Sequence, residues 1–341
     1  MNKKVFALVA AVGLLAGSLA GCGTSGSDEQ ASSSKAGYSK VKFEKKKPLK
    51  LGYSTQDLSN PYWQTMAKGI KAGAKEAGVE VSVLDSKMDQ SKQVSNSLDL
   101  VNQGISGLII TPVQPDALPS TVDAAHDAKI PVVVADIGVA GSYDAYLLSN
   151  NKAGGKMAAE YLVKKLSTPG THKVGVVELH AGSVVGEQRR DGFKEELSKH
   201  DNFKIVSSLD GKDSVDGGFK AAQDMLSANP DLDVIYAAND NSAVGAERAM
   251  EAAHKSCKDG FVLMGFDGND QALSMIKDGR MTATVAQDPY AQGKKAVELT
   301  MDLLDGKNPK FNDAKKRTVL YPVSMVDSEN LSTFQAKKAQ E

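Results

Sequence analysis

The chain has 341 residues, in which 41 Lys and Arg residues are balanced by 42 Asp and Glu residues. Hydrophobic residues make up 41% and charged residues 24%, values typical of folded proteins, which excludes a disordered or collagen-like chain. The balanced charge gives no reason to expect a nucleic-acid partner, and two cysteines with five histidines leave little material for a metal site. We therefore expect a folded protein that needs neither a metal nor a cofactor.

The first residues resemble a bacterial export signal with a lipid attachment site. Lys3 and Lys4 precede an apolar run over residues 5–20, which is too short to cross a bilayer as a stable helix. The run leads into a Leu-Ala-Gly-Cys tetrapeptide that resembles a lipobox, whose cysteine, here Cys22, is acylated. Residues 1–21 are predicted to be a signal peptide, and Cys22 to anchor the protein on the extracytoplasmic face of the cell membrane. An ordinary secretory signal with a chance cysteine is the alternative.

Residues 22–47 are predicted to form a flexible linker, because they are rich in Ser, Gly and Ala and end in three lysines. Cys257 is the only other cysteine, so no disulfide is expected if Cys22 is lipidated. We expect Cys257 in a loop beside a helix and a strand. The rest of the chain is long enough for two domains of about 150 residues each.

Short β-rich runs alternate with helical segments from residue 49 onward. One helical segment carries an apolar stripe, with Trp63, Met66 and Ile70 on one face. Strand starts recur about every 30 residues, four times in each half, which predicts two doubly wound α/β domains with parallel sheets. The break is expected near residues 149–151, where Asn150 can cap a helix. The predicted strands are 49–54, 79–84, 107–112, 130–135, 173–179, 203–208, 233–237 and 261–266.

Polar residues follow several of these strands, including Asp57, Asp136, Asn239 and Asp267. Each alone is most simply a helix cap or a turn residue. Ligands of doubly wound sheets, however, bind beyond the carboxyl ends of the strands. Polar residues at the same topological position in several units therefore predict a ligand site at this edge.

Motifs that would indicate an enzyme are missing. Gly154-Gly155-Lys156 is followed by Met157 and lacks the spacing of a phosphate-binding loop. The chain has no dinucleotide fingerprint, no nucleophile elbow, no metalloprotease motif and no histidine pair at i, i+4. We expect a protein without catalytic residues, and an Asp/Glu arrangement without a motif is the one remaining route to an enzyme.

Four motifs resemble those of a known family: Asn60-Pro61-Tyr62-Trp63, Ala238-Asn239-Asp240, Gly265-Phe266-Asp267-Gly268 and Thr284-Val285-Ala286-Gln287-Asp288-Pro289. In this order they resemble the type I solute-binding proteins of bacterial sugar ABC importers, in the ribose-binding branch. The resemblance runs from about residue 49 to residue 327.

The resemblance implies two Rossmann-like domains joined by a three-stranded hinge, with one sugar bound in the cleft between them. The N-terminal lobe would comprise residues 48–149 plus 288–320, and the C-terminal lobe residues 150–287 plus 321–330. Strands over 281–286 and 318–326 would lie near the hinge. A monomer that closes on its ligand and is recognised by ABC permease subunits is expected.

The resemblance also implies the ligand-binding residues. Two of them have a second interpretation: Trp63 is also a candidate core residue, and Asn60 is also a helix cap, a role compatible with binding. The full set is Asn60, Tyr62, Trp63 and Asp136 in the N-terminal lobe, with Glu187, Asn239, Phe266, Asp267 and Gln287 in the C-terminal lobe and hinge.

The sequence departs from the ribose pattern at two positions, because Ile137 and Glu187 stand where arginines are expected. A shift of the alignment by one turn would bring Arg190, beside Arg189, into the second position. With Glu187 in the cleft, acceptors outnumber donors, which favours a neutral sugar or polyol over an anionic one. A ligand with an amine is the less favoured alternative.

Two other functions share this fold. A LacI-type regulator would need a basic N-terminal helix-turn-helix, whereas this N-terminus is apolar and leads into a Ser/Gly-rich segment. A binding lipoprotein that presents its ligand to a sensor or chemoreceptor would have the same sequence features as a transport protein, so that alternative stays open.

Overall fold

The computed structural model describes residues 41–114, 116, 118–138, 141–167 and 170–340. The predicted signal peptide, the lipidation site at Cys22 and most of the predicted linker lie outside these residues. Among the residues that the structure describes, no helix has the length and apolar character needed to cross a bilayer.

The first lobe is built on a six-stranded, all-parallel sheet in the order β11-β5-β4-β3-β1-β2. Near-continuous apolar strands such as β3 and β4 are fully buried, because helices cover both faces of the sheet. The strands are β1 (Lys50–Thr55), β2 (Glu80–Asp85), β3 (Gly107–Ile110), β4 (Val132–Ala135), β5 (Ala145–Ser149) and β11 (Thr318–Tyr321). The helices are α1 (Pro61–Glu76), α2 (Gln90–Asn102), α3 (Pro119–Asp127) and α9 (Pro289–Leu304).

The second lobe repeats this plan in the order β12-β10-β9-β8-β6-β7, with only β12 antiparallel to its neighbour. Its strands are β6 (His172–Glu178), β7 (Phe203–Asp210), β8 (Val234–Ala237), β9 (Val262–Asp267), β10 (Ala283–Ala286) and β12 (Ser324–Asp327). Its helices are α4 (Asn151–Lys165), α5 (Val184–Leu197), α6 (Val215–Ala228), α7 (Asp240–Ala252), α8 (Asp270–Lys277) and α10 (Leu331–Lys338). The predicted α/β class with two doubly wound parallel sheets is confirmed.

Two strand predictions need correction. β5 was not predicted, because it follows β4 after a connection too short for the helix of the repeat. The single strand predicted over 318–326 is two strands in different sheets, β11 and β12. Pro322, which has no amide hydrogen to donate, lies in the break between them.

Within the described residues, the chain passes between the two sheets three times: between β5 and α4, between β10 and α9, and between β11 and β12. Asn150 lies in the first crossing, and its side chain caps α4 by accepting a hydrogen bond from the Ala153 amide at 3.2 Å. Its backbone amide donates to the Tyr321 carbonyl at 2.8 Å. The first and third crossings are therefore tied together by a backbone hydrogen bond.

Glycines let two pairs of helices pack with their backbones in contact. A Cβ on Gly69 of α1 would lie 2.0 Å from the Tyr290 carbonyl oxygen of α9. In the second lobe a Cβ on Gly155 of α4 would lie 2.0 Å from the Arg189 carbonyl oxygen of α5. No real Cβ fits at such distances, so the glycines are required by the helix packing rather than by a turn.

The Gly69→Ala variant tests this packing. The added methyl group must separate α1 from α9, so we expect the variant to lose about 1–3 kcal/mol of unfolding free energy, as overpacked cores do. Urea denaturation of the two proteins measures the difference. Lys71→Ala, an exposed change on the same helix, is the control, and an equal effect in both variants would contradict the packing argument.

Candidate ligand-binding cleft

A cavity of about 870 Å³ lies at the carboxyl ends of the strands of both lobes. It is the place where a doubly wound sheet binds its ligand. All but two of the ligand-binding residues predicted from the sequence line it: Asn60, Tyr62, Trp63, Asp136, Asn239, Asp267 and Gln287.

The start of α1 supplies an aromatic wall. The Asn60 side chain caps this helix by accepting a hydrogen bond from the Tyr62 amide at 2.9 Å, and Pro61 is the first helical residue. The rings of Tyr62 and Trp63 meet edge to face, with centroids 4.6 Å apart. Trp63 is only 7% exposed and packs in the core while it also lines the cavity, so its position is compatible with both interpretations of this residue.

Asp136 presents a carboxylate from the first lobe. It follows β4 with a left-handed backbone, φ +65°, and accepts a hydrogen bond from the Tyr62 hydroxyl at 3.0 Å. Burial raises the pKa of the Asp136 carboxyl to about 6, an effect that the Tyr62 hydrogen bond and the Arg189 charge oppose. The carboxylate is therefore largely ionised at neutral pH but is stabilised less than a carboxylate in water.

Asp267, at the end of β9, presents a carboxylate from the second lobe. Its Oδ1 atom accepts hydrogen bonds from Arg189 Nη1 at 3.0 Å and from Gln287 Nε2 at 2.8 Å. The side-chain oxygen of Gln287, Oε1, in turn accepts from Ser149 Oγ at 2.6 Å and lies 3.3 Å from the Tyr62 hydroxyl. A continuous polar path thus joins the aromatic wall of the first lobe to the carboxylate of the second.

Arg189 is buried at the base of the cleft, with 5% of its surface exposed. Its Nε donates to Asn151 Oδ1 at 2.9 Å, and Nη1 donates to the Ala238 carbonyl at 2.8 Å as well as to Asp267. The guanidinium lies 3.8 Å from the centre of the Phe266 ring. Each of these contacts fixes the guanidinium plane, so the charge is held in place before any ligand arrives.

The prediction that Phe266 contacts ligand is corrected by this geometry. Phe266 is fully buried and does not line the cavity. Its ring lies under the Arg189 guanidinium, and a Cβ on Gly154 would come within 2.6 Å of it. The aromatic ring therefore supports the charged residue instead of covering a sugar.

The prediction for α5 is also corrected, because Glu187 is exposed and does not line the cavity, whereas Arg189 does. Arg190 pairs with Glu178 at 3.1 Å and faces away. The Ser183 cap sets the rotation of the helix, and residues two apart point to opposite sides. The buried positions lie on one face of the helix: Gly186, Arg189, Gly192, Phe193, Glu196 and Leu197.

A further wall of the cavity comes from α10, which lies beyond the lobe boundary predicted at residue 330. Phe334, Lys337 and Lys338 line the cavity. Lys337 pairs with Asp288 at 2.8 Å, and Lys338 pairs with Asp270 at 2.7 Å. These cations are engaged by neighbouring carboxylates at the rim.

A model of the periplasmic binding protein domain matches residues 51–308. The chain belongs to the periplasmic binding protein family. The resemblance stated from the four sequence motifs is thereby confirmed, and so is the expectation of a transport-type binding protein in place of an enzyme.

Similar proteins support this periplasmic binding protein assignment along most of the chain. The ribose import binding protein RbsB of Bacillus subtilis (strain 168) is 35% identical over 263 residues, which cover 77% of this chain and 84% of that protein. A periplasmic ribose ABC transporter structure from Conexibacter woesei DSM 14684 has a TM-score of 0.77 at 26% identity. The match covers 87% of this chain and 96% of that chain. A Caulobacter myo-inositol binding protein with bound myo-inositol has a TM-score of 0.68 at 29% identity. The match covers 84% of this chain and 95% of that chain.

Because the pKa of Asp136 is raised, we expect its carboxylate to favour ligand binding in this periplasmic binding protein but to lower the stability of the ligand-free form. An Asp with a raised pKa destabilises the fold when ionised, so Asp136→Asn is expected to stabilise the ligand-free protein by about 1–2 kcal/mol above pH 6. The gain should shrink as the pH falls through about 6, where the native carboxyl takes up its proton. Thermal unfolding at several pH values measures it.

The same substitution should weaken ligand binding, because an amide offers ligand hydroxyls a weaker acceptor than a carboxylate. Asp89→Asn, which keeps an acceptor at the exposed cap of α2, is the control and should change neither quantity. A variant at position 136 that is stabilised equally at every pH would show that charge is not the cause.

Proposed function

We propose that this protein is an extracytoplasmic substrate-binding lipoprotein that captures a small neutral sugar or polyol in the cleft and delivers it to an ABC importer permease. The observation that carries the proposal is the pair of carboxylates, Asp136 and Asp267, that face one cavity from different lobes. The proposed lobes are residues 48–149 plus 288–320 and residues 150–287 plus 321–330.

The charge balance of the cleft supports a neutral, hydroxyl-rich ligand. The Arg189 charge is matched by Asp267, so the cavity keeps an excess of negative charge, on Asp136 and also on Asp57. An anionic ligand would bring a second buried negative charge beside Asp136, which is costly without a cation. Ligand hydroxyls can instead donate to both carboxylates, while Tyr62 and Trp63 cover the C–H faces of the ligand. The ribose and myo-inositol in the names of the similar proteins are ligands of this chemistry.

Binding groups on both lobes supply the free energy for closure. A ligand shifts the lobes toward a closed state only by its higher affinity for that state. Asp136 and Trp63 lie on the first lobe, and Asp267 and Asn239 lie on the second, so a ligand held by both sets gains contacts only when the lobes approach. We infer that the closed, loaded form is the one that the permease recognises.

A thermal-shift screen tests the ligand class. D-ribose, D-allose and myo-inositol represent neutral ligands, with galacturonate and glucosamine as the charged comparisons. A ligand present at 100 times its dissociation constant should add about 2.7 kcal/mol of stability. We expect at least one neutral compound to reach this value and small-angle scattering to show a more compact protein with it. A response only to galacturonate would refute the charge argument, and saturation without compaction would refute closure.

The lipid anchor is tested by Cys22→Ala, at a residue outside the described part of the structure. Stable membrane anchoring needs two acyl chains or one chain with a second signal. The variant has no cysteine at position 22 to carry acyl chains, so we expect it to be released from membranes. Ligand affinity should not change, since the cleft is built from residues beyond position 55. Incorporation of a labelled fatty acid into wild type and variant measures the modification, and equal labelling of both would contradict the proposal.

A further inference from the structure

Asp240 is a buried carboxylate next to the cleft that does not line it. It is the first residue of α7, directly after Asn239, and no part of its surface is exposed. A buried carboxylate is expensive unless its oxygen atoms are hydrogen-bonded, so its partners indicate what it does.

Both oxygen atoms of the Asp240 carboxyl have a partner. Oδ2 accepts a hydrogen bond from the Asn269 backbone amide at 2.8 Å, and Oδ1 accepts from the buried Thr284 hydroxyl at 2.7 Å. Space for the carboxyl exists because residue 265 is glycine: a Cβ there would lie 2.4 Å from Asp240 Oδ1. Two other segments, β9 with the turn that follows it and β10, therefore surround this one side chain.

The Asn269 amide belongs to the turn that carries Asp267, whose carboxylate is proposed to bind the ligand. Asp267 has φ +124°, which side chains other than glycine rarely adopt, and Gly268 has φ +73°. Such a backbone persists only where the surrounding structure holds it. Asn269 is held on one side by its own side chain, which caps α8. On the other side its amide is held by Asp240.

We infer that Asp240 is a positioning residue for ligand binding: by holding the Asn269 amide it fixes the strained turn that aims the Asp267 carboxylate into the cleft. The inference rests on the proposed function and deepens it, because it assigns a role in sugar binding to a residue that does not face the cavity.

Asp240 and Asp267 lie close together, and the charges around them favour a proton on Asp240 rather than on Asp267. The titratable groups that face Asp240 are Asp267 on β9 and Tyr236 on β8, and the cation Arg189 pairs with Asp267. Burial, with the Asp267 charge, raises the pKa of Asp240 well above its usual range. Burial also raises the pKa of Asp267, but there Arg189 opposes the shift. Arg189 therefore favours the ionised form of Asp267, and burial beside that charge favours the protonated form of Asp240.

The test compares full-length wild-type protein with Asp240→Ala, Asp240→Asn and Thr284→Val by calorimetric titration with D-ribose, D-allose and myo-inositol. Asp240→Ala should weaken binding about tenfold or more, because the turn loses its holding bond. Asp240→Asn keeps an oxygen for the Asn269 amide and should recover most of that loss. Thr284→Val removes the hydroxyl that orients the carboxyl and should weaken binding severalfold.

Asp144→Ala is the matched control. Asp144 is also buried and also accepts from a backbone amide, that of Val132, at 2.8 Å, and it contacts His126 at 2.9 Å. It lies before β5, at the opposite end of the first sheet from the cleft. This variant should be destabilised and keep wild-type affinity. If Asp144→Ala and Asp240→Ala lose stability equally and both keep their affinity, Asp240 is merely structural and the inference fails.

The pH profile separates positioning by a protonated carboxyl from a general loss of structure. A bound ligand excludes water from Asp267 and so strengthens the repulsion between its charge and an ionised Asp240, which raises the pKa of Asp240 further. Wild-type affinity should therefore fall as the pH rises through that pKa, by at most about tenfold per pH unit. Asp240→Asn has no proton to lose there, and its affinity should stay level up to about pH 9. Parallel profiles for both proteins would overturn the assignment of the proton.

Amide exchange at Asn269 gives a readout that needs no ligand. Exchange at this amide should be slow in the wild type and in Asp240→Asn but fast in Asp240→Ala. If the wild type binds none of the three compounds, the proposed function fails for that ligand class, while the exchange result still decides whether Asp240 holds the turn. Unchanged exchange in Asp240→Ala would overturn the inference.

Discussion

The proposed ligand site depends on the partly buried carboxylate of Asp267, whose charge is stabilised before a ligand arrives. Arg189 and Gln287 both donate to its Oδ1 atom, and each is held by a residue at the first crossing. Asn151 accepts from Arg189, and Ser149 donates to Gln287. The groups that hold the Asp267 carboxylate are thus anchored where the chain crosses between the two sheets, so movement at the crossings and the geometry of the proposed site are not independent.

The helix packing places Arg189 at this position. Gly155 allows the α4 backbone to reach the Arg189 carbonyl, and Gly154 leaves room for the Phe266 ring on which the guanidinium lies. The pair Gly154-Gly155, which lacks the spacing of a phosphate-binding loop, therefore serves close packing. Because Asn151 begins the same helix, one helix contact brings a hydrogen-bond acceptor and an aromatic platform to the same arginine.

The features that the sequence predicted well are those encoded locally. Strand spacing, apolar strands and the caps at Asn60 and Asn150 depend on neighbouring residues, and each is found in the structure. The errors concern features set by distant contacts. Glu187 was placed by aligned position, whereas the rotation of α5 follows from its cap and its packing on α4. Phe266 ends in the core because Arg189 covers it, a contact between residues far apart in the chain.

The two carboxylates of the cleft are prepared for ligand in different ways. Asp267 is already neutralised by Arg189 and held by Gln287, so ligand hydroxyls can add to a fixed acceptor. Asp136 is held mainly by the Tyr62 hydroxyl, which has one proton and lies within reach of both Asp136 and Gln287. When a ligand hydroxyl donates to Asp136, the Tyr62 proton can turn to the Gln287 oxygen without loss of a hydrogen bond. In the proposed binding mode, the second lobe therefore offers a preformed site, while the first lobe exchanges one hydrogen bond for another as the ligand is enclosed.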